Sequence, residues 1–192
     1  MLFRSIVTFT PGPTNIVILS TAYNLGTKKA LEYCYGATVA FGFLLSISAV
    51  LNTTLVAVIP KILVVMQIIG SVYMLYLAYQ IYKMEVSEQA MIQTGTFASG
   101  ILMQFVNPKV VLFTMTVIPS FVIPYYREPM KLALFVSVIT LIGFLAFITW
   151  VLFGSVFKKF LQKHQKIVNI VMALFLVYSA FMVSGAVELI KR

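Results

Sequence analysis

Aspartate does not occur in this chain, and its five acidic residues, Glu32, Glu85, Glu88, Glu128 and Glu188, fall at loops or ends of long apolar runs. One histidine, His164, and one cysteine, Cys34, complete a short inventory of reactive side chains. These scarcities exclude several classes of protein. A single cysteine can form no internal disulfide and no cysteine-rich metal centre, and Cys34 reads as a small apolar residue near a helix end. A hydrolase needs a nucleophile beside a base, or a metal held by histidines and carboxylates, whereas His164 stands alone in a basic stretch. Nothing resembles a glycine-rich nucleotide loop, which argues against direct ATP drive. The chain reads as a non-enzyme with no cofactor and no metal.

What is abundant is apolar surface. Of 192 residues, 61% are hydrophobic and 10% charged, and the mean hydropathy is +1.01. One soluble core cannot bury that much, so the chain belongs in a bilayer. At about 20 residues per spanning helix, an all-α fold of six transmembrane helices is expected, at residues 4–23, 34–58, 62–82, 97–120, 132–153 and 167–187. The separators are Asn24 to Tyr33, the tight Ile59-Pro60-Lys61, the polar stretch Lys83 to Gly95, the proline-rich Pro119 to Pro129, and Phe157 to Lys166. Residues 1–192 form a single transmembrane domain on this reading.

The net charge of +9 does not point to nucleic acid, because the basic residues flank apolar helices and do not gather on one soluble face. Loops after spans one, three and five carry Lys28, Lys29, Lys83, Lys158, Lys159, Lys163 and Lys166, against Lys61, Arg127 and Lys131 after spans two and four. The positive-inside rule therefore places the first set in the cytoplasm and both termini outside. The run from Lys158 to Lys166 also suits the anionic headgroups of membrane lipids. Arg4 and the apolar stretch after it resemble the start of a secretory signal, but a Pro-Gly-Pro break and the lack of a small-residue cleavage site argue for retention.

Proline interrupts two of these spans: Pro11-Gly12-Pro13 in the first and Asn107-Pro108-Lys109 in the fourth. Lipid offers no partner to the backbone groups a proline leaves unpaired, so such breaks persist where they line a protein-enclosed cavity. Each interrupted span reads as two half-helices. Lys109 adds a cation within a span, costing at least about 2.5–3.5 kcal/mol on insertion scales, which marks a functional site. Shifting the sequence by half its length lays Phe9-Thr10-Pro11-Gly12-Pro13 over Phe105-Val106-Asn107-Pro108-Lys109. Two inverted three-helix repeats, about 1–83 and 97–192, are expected, a recurrent design of secondary transporters.

At these residues a family resemblance appears. Thr10-Pro11-Gly12-Pro13-Thr14-Asn15 and then Gly26, Lys28, Lys29, Gly36 and Gly42 resemble the opening of the lysine exporter (LysE) family, especially its homoserine/threonine resistance (RhtB) branch. In the second half Gly100, Asn107-Pro108-Lys109, Phe113 and Ile118-Pro119-Ser120-Phe121-Val122 resemble that family's glycine, Asn-Pro-Lys, phenylalanine and Pro-x-Phe pattern. The resemblance implies six membrane helices, dimers, and proton-driven export of amino acids or close derivatives, in a multi-pass protein of the plasma membrane of bacterial inner-membrane type. The chain departs from the pattern at Thr14, where many members carry an acidic residue, at Ala30 for a glycine, and at Ser120 for a glutamine. Thr14 weakens any case for lysine or arginine as substrate and leaves the proton-coupling site unassigned.

The residues narrow the substrate class that the resemblance implies. With no carboxylate expected deep in the membrane and one cation, Lys109, the inventory suits the carboxylate of a zwitterion, helped by half-helix N-termini at Pro13 and Pro108. Backbone carbonyls freed by the prolines and the amides of Asn15 and Asn107 suit its ammonium group. Small neutral amino acids or derivatives such as cysteine, O-acetylserine, homoserine or threonine fit best. The substrate-binding candidates are Pro11, Gly12, Pro13, Thr14, Asn15, Asn107, Pro108 and Lys109. Each has a structural alternative: Lys109 can snorkel, Asn15 and Asn107 can cap half-helices or bridge spans, Gln104 can do either, and Gly36, Gly42 and Gly100 suit close packing. Tyr73, Tyr76, Tyr79 and Tyr82 suit packing and interfacial anchoring, as do Trp150, Tyr125 and Tyr126 near span ends. An ion or metal-ion channel is the rival reading, and the lack of acidic side chains at depth counts against it.

The charge count predicts that single cysteines placed beside Lys28 and Lys158, in a Cys34→Ser background, resist an impermeant thiol reagent in intact cells. Labelling of both loops from outside reverses the topology.

Overall fold

The computed structural model describes residues 12–83 and 95–184 and, within them, side chains other than those of 52–64 and 66. Residues 4–11 of the expected first span, Arg4 and Pro11 among them, lie outside the described residues. So do 84–94 of the expected polar stretch and 185–187 of the sixth span. Among the described residues the fold is all-helical: α1 (Pro13–Asn24), α2 (Thr27–Val50), α3 (Asn52–Tyr82), α4 (Phe97–Val106), α5 (Pro108–Phe121), α6 (Pro129–Val156), α7 (Lys158–Lys163) and α8 (Gln165–Val183). Of these, α2, α6 and α8 are each long and apolar enough to cross a bilayer, and α4 with α5 make a fourth candidate span bent by 69°.

Helix borders depart from the sequence reading in instructive ways. The break expected at Ile59-Pro60-Lys61 falls instead at Leu51, and Pro60 lies inside the 31-residue α3. The sequence does mark the observed border, since Asn52, Thr53 and Thr54 are residue types that favour turns and helix starts over helix interiors. Helix α2 starts at Thr27, seven residues before the apolar run at 34, because its first turns are polar. There Lys29 Nζ meets Glu32 Oε2 at 2.8 Å, an i,i+3 pair that belongs on a helix and not in a loop. Between α1 and α2 the chain turns at Gly26 with φ +92°, a conformation that side chains with a Cβ rarely adopt. Pro119 sits inside α5, close enough to its end that a lost backbone bond leaves little helix behind it. The basic stretch 158–163 is helical as α7.

Packing is inverted relative to a soluble protein. Along α6, Leu134, Val138, Leu141, Leu145 and Leu152 recur at helical spacing and are exposed, while Gly143, Ala146, Phe147, Val151 and Gly154 face inward. The large apolar stripe faces outward because lipid solvates it as well as a core would, and small residues turn inward so that backbones approach closely. Helix α2 is the hub, packed on α1, α4, α5 and α6, and α3 packs along α8. On the α3 tyrosine stripe, Tyr76, Tyr79 and Tyr82 are exposed, and Lys83 Nζ lies 4.7 Å from the centre of the Tyr79 ring. That arrangement suits an interfacial anchor.

Two glycines set the crossing of α2 and α4. A Cβ at Gly36 would stand 2.0 Å from Phe97 O, and one at Gly100 would stand 2.2 Å from Tyr33 O. Backbone lies at both contacts, so neither can give way cheaply. Gly100→Ala gains roughly 1 kcal/mol of helix propensity but must push two backbones apart, at typically 1–3 kcal/mol or more. The expected net result is a lower thermal midpoint in detergent, and an unchanged midpoint would mean that α2 and α4 are not in backbone contact.

Candidate functional site

Three of the described helices, α1, α5 and α6, begin at proline, and the beginnings of α1 and α5 meet at one cavity. The residue before a proline is pushed toward extended backbone, so α4 stops at Val106, Asn107 adopts φ −87° and ψ 102°, and Pro108 occupies the first turn of α5. Pro13 plays the same part for α1 after the extended Gly12, at φ −160° and ψ 170°. Proline suits a first turn because its missing N–H has no intrahelical acceptor there. Pro13 and Pro108 are both buried.

Asn107 closes the break. Its backbone N–H donates to Met103 O at 3.0 Å, its C=O accepts from Val110 and Val111 N–H at 3.0 and 3.1 Å, and its side-chain Oδ1 accepts from Lys109 N–H at 3.1 Å. A backbone N–H can only donate, which fixes the amide orientation and sends Nδ2 to Thr14 Oγ1 at 3.3 Å. Gln104 Nε2 donates to the same hydroxyl oxygen at 3.4 Å. Thr14 thus ties the start of α1 to both halves of the bent span. Asn107 takes both of its structural roles at once, capping α5 and bridging spans, and its side chain is committed to them.

Beside this junction lies a cavity of about 50 Å3, room for a few water molecules. Gly12, Thr14 and Asn15 line it from α1, and Gln104, Asn107, Lys109, Val110 and Phe113 line it from the bent span. Phe41 of α2 with Gly143 and Phe147 of α6 complete the wall. Gly143 is there for space: a Cβ would stand 2.8 Å from Phe41 Cε1. Lys109 is the cation of the lining, and no acidic side chain lines it among the described residues. Its side chain is exposed while lining the cavity. The ion-paired Glu32 and Glu128 line no part of it, bonded to Lys29 at 2.8 Å and Lys131 at 3.0 Å.

Of the residues expected from the sequence, Gly12, Thr14, Asn15, Asn107 and Lys109 converge on the cavity, Pro13 and Pro108 shape it from behind, and Pro11 lies outside the described residues. The N-terminus of α5 differs from the open anion site expected there, because Asn107 Oδ1 already takes Lys109 N–H. Among the described residues no His, Cys, Asp or Glu cluster could hold a metal. Gln104 matters more than its ambiguous sequence reading implied: it is fully buried, and its Oε1 has no hydrogen-bond partner among the described residues. A glutamine inside an apolar run one turn before Pro108 was the available signal. Phe41, Phe113, Gly143 and Phe147 carry no such signal, since helix packing alone brings them here.

The site is a neutral lining of amides, a hydroxyl and aromatic rings with one ammonium group, set at a bent pair of apolar helices. The model of LysE type translocators matches residues 5–185, and this chain belongs to that family. A cysteine/O-acetylserine efflux protein of Klebsiella pneumoniae is 32% identical over 181 residues, covering 94% of this chain and 92% of that protein. Proteins of the same name from Escherichia coli O1:K1 and Escherichia coli strain K12 are 29% and 28% identical, each over 93% of this chain and 92% of their own length. No solved structure matches.

If Thr14 and Asn107 are bonded, a double-mutant cycle with Thr14→Val and Asn107→Ala in detergent unfolding should show a coupling near 0.6 kcal/mol, typical of interhelical bonds in membranes. Asn107→Ala alone should cost about 1 kcal/mol or more through the lost cap. Strictly additive effects would remove the bond from the site.

Proposed function

We propose that this chain is a secondary active exporter of small neutral amino acids or their derivatives, cysteine and O-acetylserine foremost, working by alternating access and driven by protons. The observation that carries the reading is the cavity itself. Lys109 offers a charge partner to a carboxylate, neutral amides and a hydroxyl share the lining with it, and among the described residues no side-chain carboxylate lines the cavity to meet a cationic side chain. The two foremost substrates are those for which the similar Klebsiella and Escherichia proteins are named.

The finer architecture of this proposal is six spans in two inverted three-helix halves. Symmetric packing supports it: α2 packs on α5 as α6 packs on α1, and the exchange of halves maps the pairs α2–α6 and α3–α8 onto themselves. A polar latch supports the alternation. At the far end of α1, roughly 18 Å from its start at 1.5 Å per residue, Tyr23 OH donates to Asn169 Oδ1. Gln162 Nε2 donates to Tyr23 O at 3.3 Å, and Gln165 Nε2 donates to Asn24 Oδ1 at 3.0 Å. These bonds join α1 to α7 and α8, and their residues adjoin the lysine-rich stretches that the charge rule places in the cytoplasm. We read the structure as closed toward the cytoplasm. The setting of the reading is the plasma membrane of bacterial inner-membrane type, in contact with its lipids and as a homodimer.

Proteoliposomes loaded with labelled cysteine or O-acetylserine test the proposal. Efflux that responds to a proton gradient is expected, and ion current in a planar bilayer without amino acid efflux would favour a channel instead. Lys109→Met should weaken binding of cysteine by roughly ten- to a hundredfold, the range of a lost charge-assisted hydrogen bond. It should also erase the preference for cysteine over cysteamine, which lacks the carboxylate. A folded Lys109→Met protein that keeps this preference assigns the carboxylate to another partner.

A further inference from the structure

The inventory of acceptors in the cavity is short once the bonds are counted. Asn107 uses Oδ1 on Lys109 N–H and Nδ2 on Thr14, and Thr14 Oγ1 accepts from two amides. Asn15 makes an interaction of its own, and its Oδ1 is a second buried amide oxygen beside the cavity. Gln104 is the one anchored to Thr14 at the junction. Its Nε2 is anchored to Thr14 at 3.4 Å, the side chain is 0% exposed, and its Oε1 faces no hydrogen-bond donor among the described residues, in a residue that lines the cavity. Buried carbonyl oxygens without a donor are rare in folded proteins, because the lost hydration is not repaid. Gln104 borders the cavity, and a donor that enters there can reach this oxygen once the side chain turns toward it.

We propose that Gln104 is the ammonium-binding and charge-selecting residue of this cavity, its Oε1 accepting a hydrogen bond from the substrate's α-ammonium group. The inference rests on the amino acid reading above and extends it. Lys109 repels an ammonium group and attracts a carboxylate, so a bound zwitterion orients with its carboxylate toward Lys109 and its ammonium group toward the neutral acceptor. Neutrality is the selecting property. An amide oxygen accepts a hydrogen bond without supplying a countercharge, so a second amine on the substrate would enter a lining that holds Lys109 and, among the described residues, no carboxylate. Zwitterions are admitted and diamino acids are refused. Thr14 fits the same account: its hydroxyl anchors the glutamine and adds no negative charge.

Competition binding on the purified full-length protein tests this with four probes: cysteine, 3-mercaptopropionate, which lacks the ammonium group, cysteamine, which lacks the carboxylate, and 2,3-diaminopropionate, which adds an amine. Wild-type protein should favour cysteine over 3-mercaptopropionate by about tenfold or more, the scale of a hydrogen bond to a charged group. Gln104→Met should reduce that preference to within about threefold while leaving the preference over cysteamine, which reports on Lys109, in place. Gln104→Glu keeps the shape, adds the missing negative charge, and should raise the affinity for 2,3-diaminopropionate relative to cysteine by about tenfold. A folded Gln104→Met protein that keeps the full preference over 3-mercaptopropionate, or loses the preference over cysteamine instead, overturns the assignment. Should Gln104→Met not fold, Gln104→Glu decides alone, and no shift toward 2,3-diaminopropionate overturns it. Wild-type protein that binds no cysteine defeats the amino acid reading as well, whereas wild-type binding with unmoved variants defeats only the role of Gln104.

Discussion

A bilayer supplies no hydrogen-bond partners, and the break at Asn107-Pro108 exposes backbone that must find them inside the protein. Most of the site follows from this constraint. Asn107 answers it by capping α5 with its own side chain, and its remaining amide hydrogens reach Thr14 on α1. Gln104 reaches the same hydroxyl from the other half-helix. The bend of 69° then leaves a space that straight helices would have closed. Cavity and junction are thus one structure: what makes the break tolerable in lipid also gathers polar groups around a pocket.

The rest of the fold holds that junction in place through backbone contact between helices. Lipid removes the hydrophobic incentive for helices to associate, so closeness of approach matters more than apolar area. Gly36 and Gly100 let α2 and α4 touch backbone to backbone, and Gly70 brings α3 within 2.1 Å, measured from a Cβ it lacks, of Val106 O at the end of α4. The contact at Gly70 is next to the break itself. Helix α6 contributes Gly143 and Gly154 to the same inner surface and turns its leucines outward. A rigid frame around an irregular centre can shift as two bodies about that centre, which is the mechanical requirement of alternating access.

Much of this was legible before any coordinates. The helical class and membrane setting followed from apolar runs, and the break at Pro108 followed from the lack of an N–H and the extended bias that proline imposes on its predecessor. The convergence of Gly12, Thr14 and Asn15 with Asn107 and Lys109 was anticipated from two motifs about half a chain apart. Proline misled at Pro60, which helix α3 absorbs, because a proline signals a lost hydrogen bond and not where the chain must turn. Polar residue types at 52–54 carried the better signal there.

The sequence by itself determined what is local: helices where apolar residues run on, interruptions where proline or glycine forbids continuation, and a cation where no lipid would want one. These are properties of a residue and its few neighbours, so they can be read along the chain. Only the tertiary structure decided which polar groups remained available. Asn107 and Gln104 have the same amide chemistry, yet one is spent on a cap and a bridge, while the other keeps a buried oxygen beside the cavity. Hydrogen bonds are exclusive and reach about 3 Å. Their allocation depends on which helices cross within that distance, which no local pattern encodes.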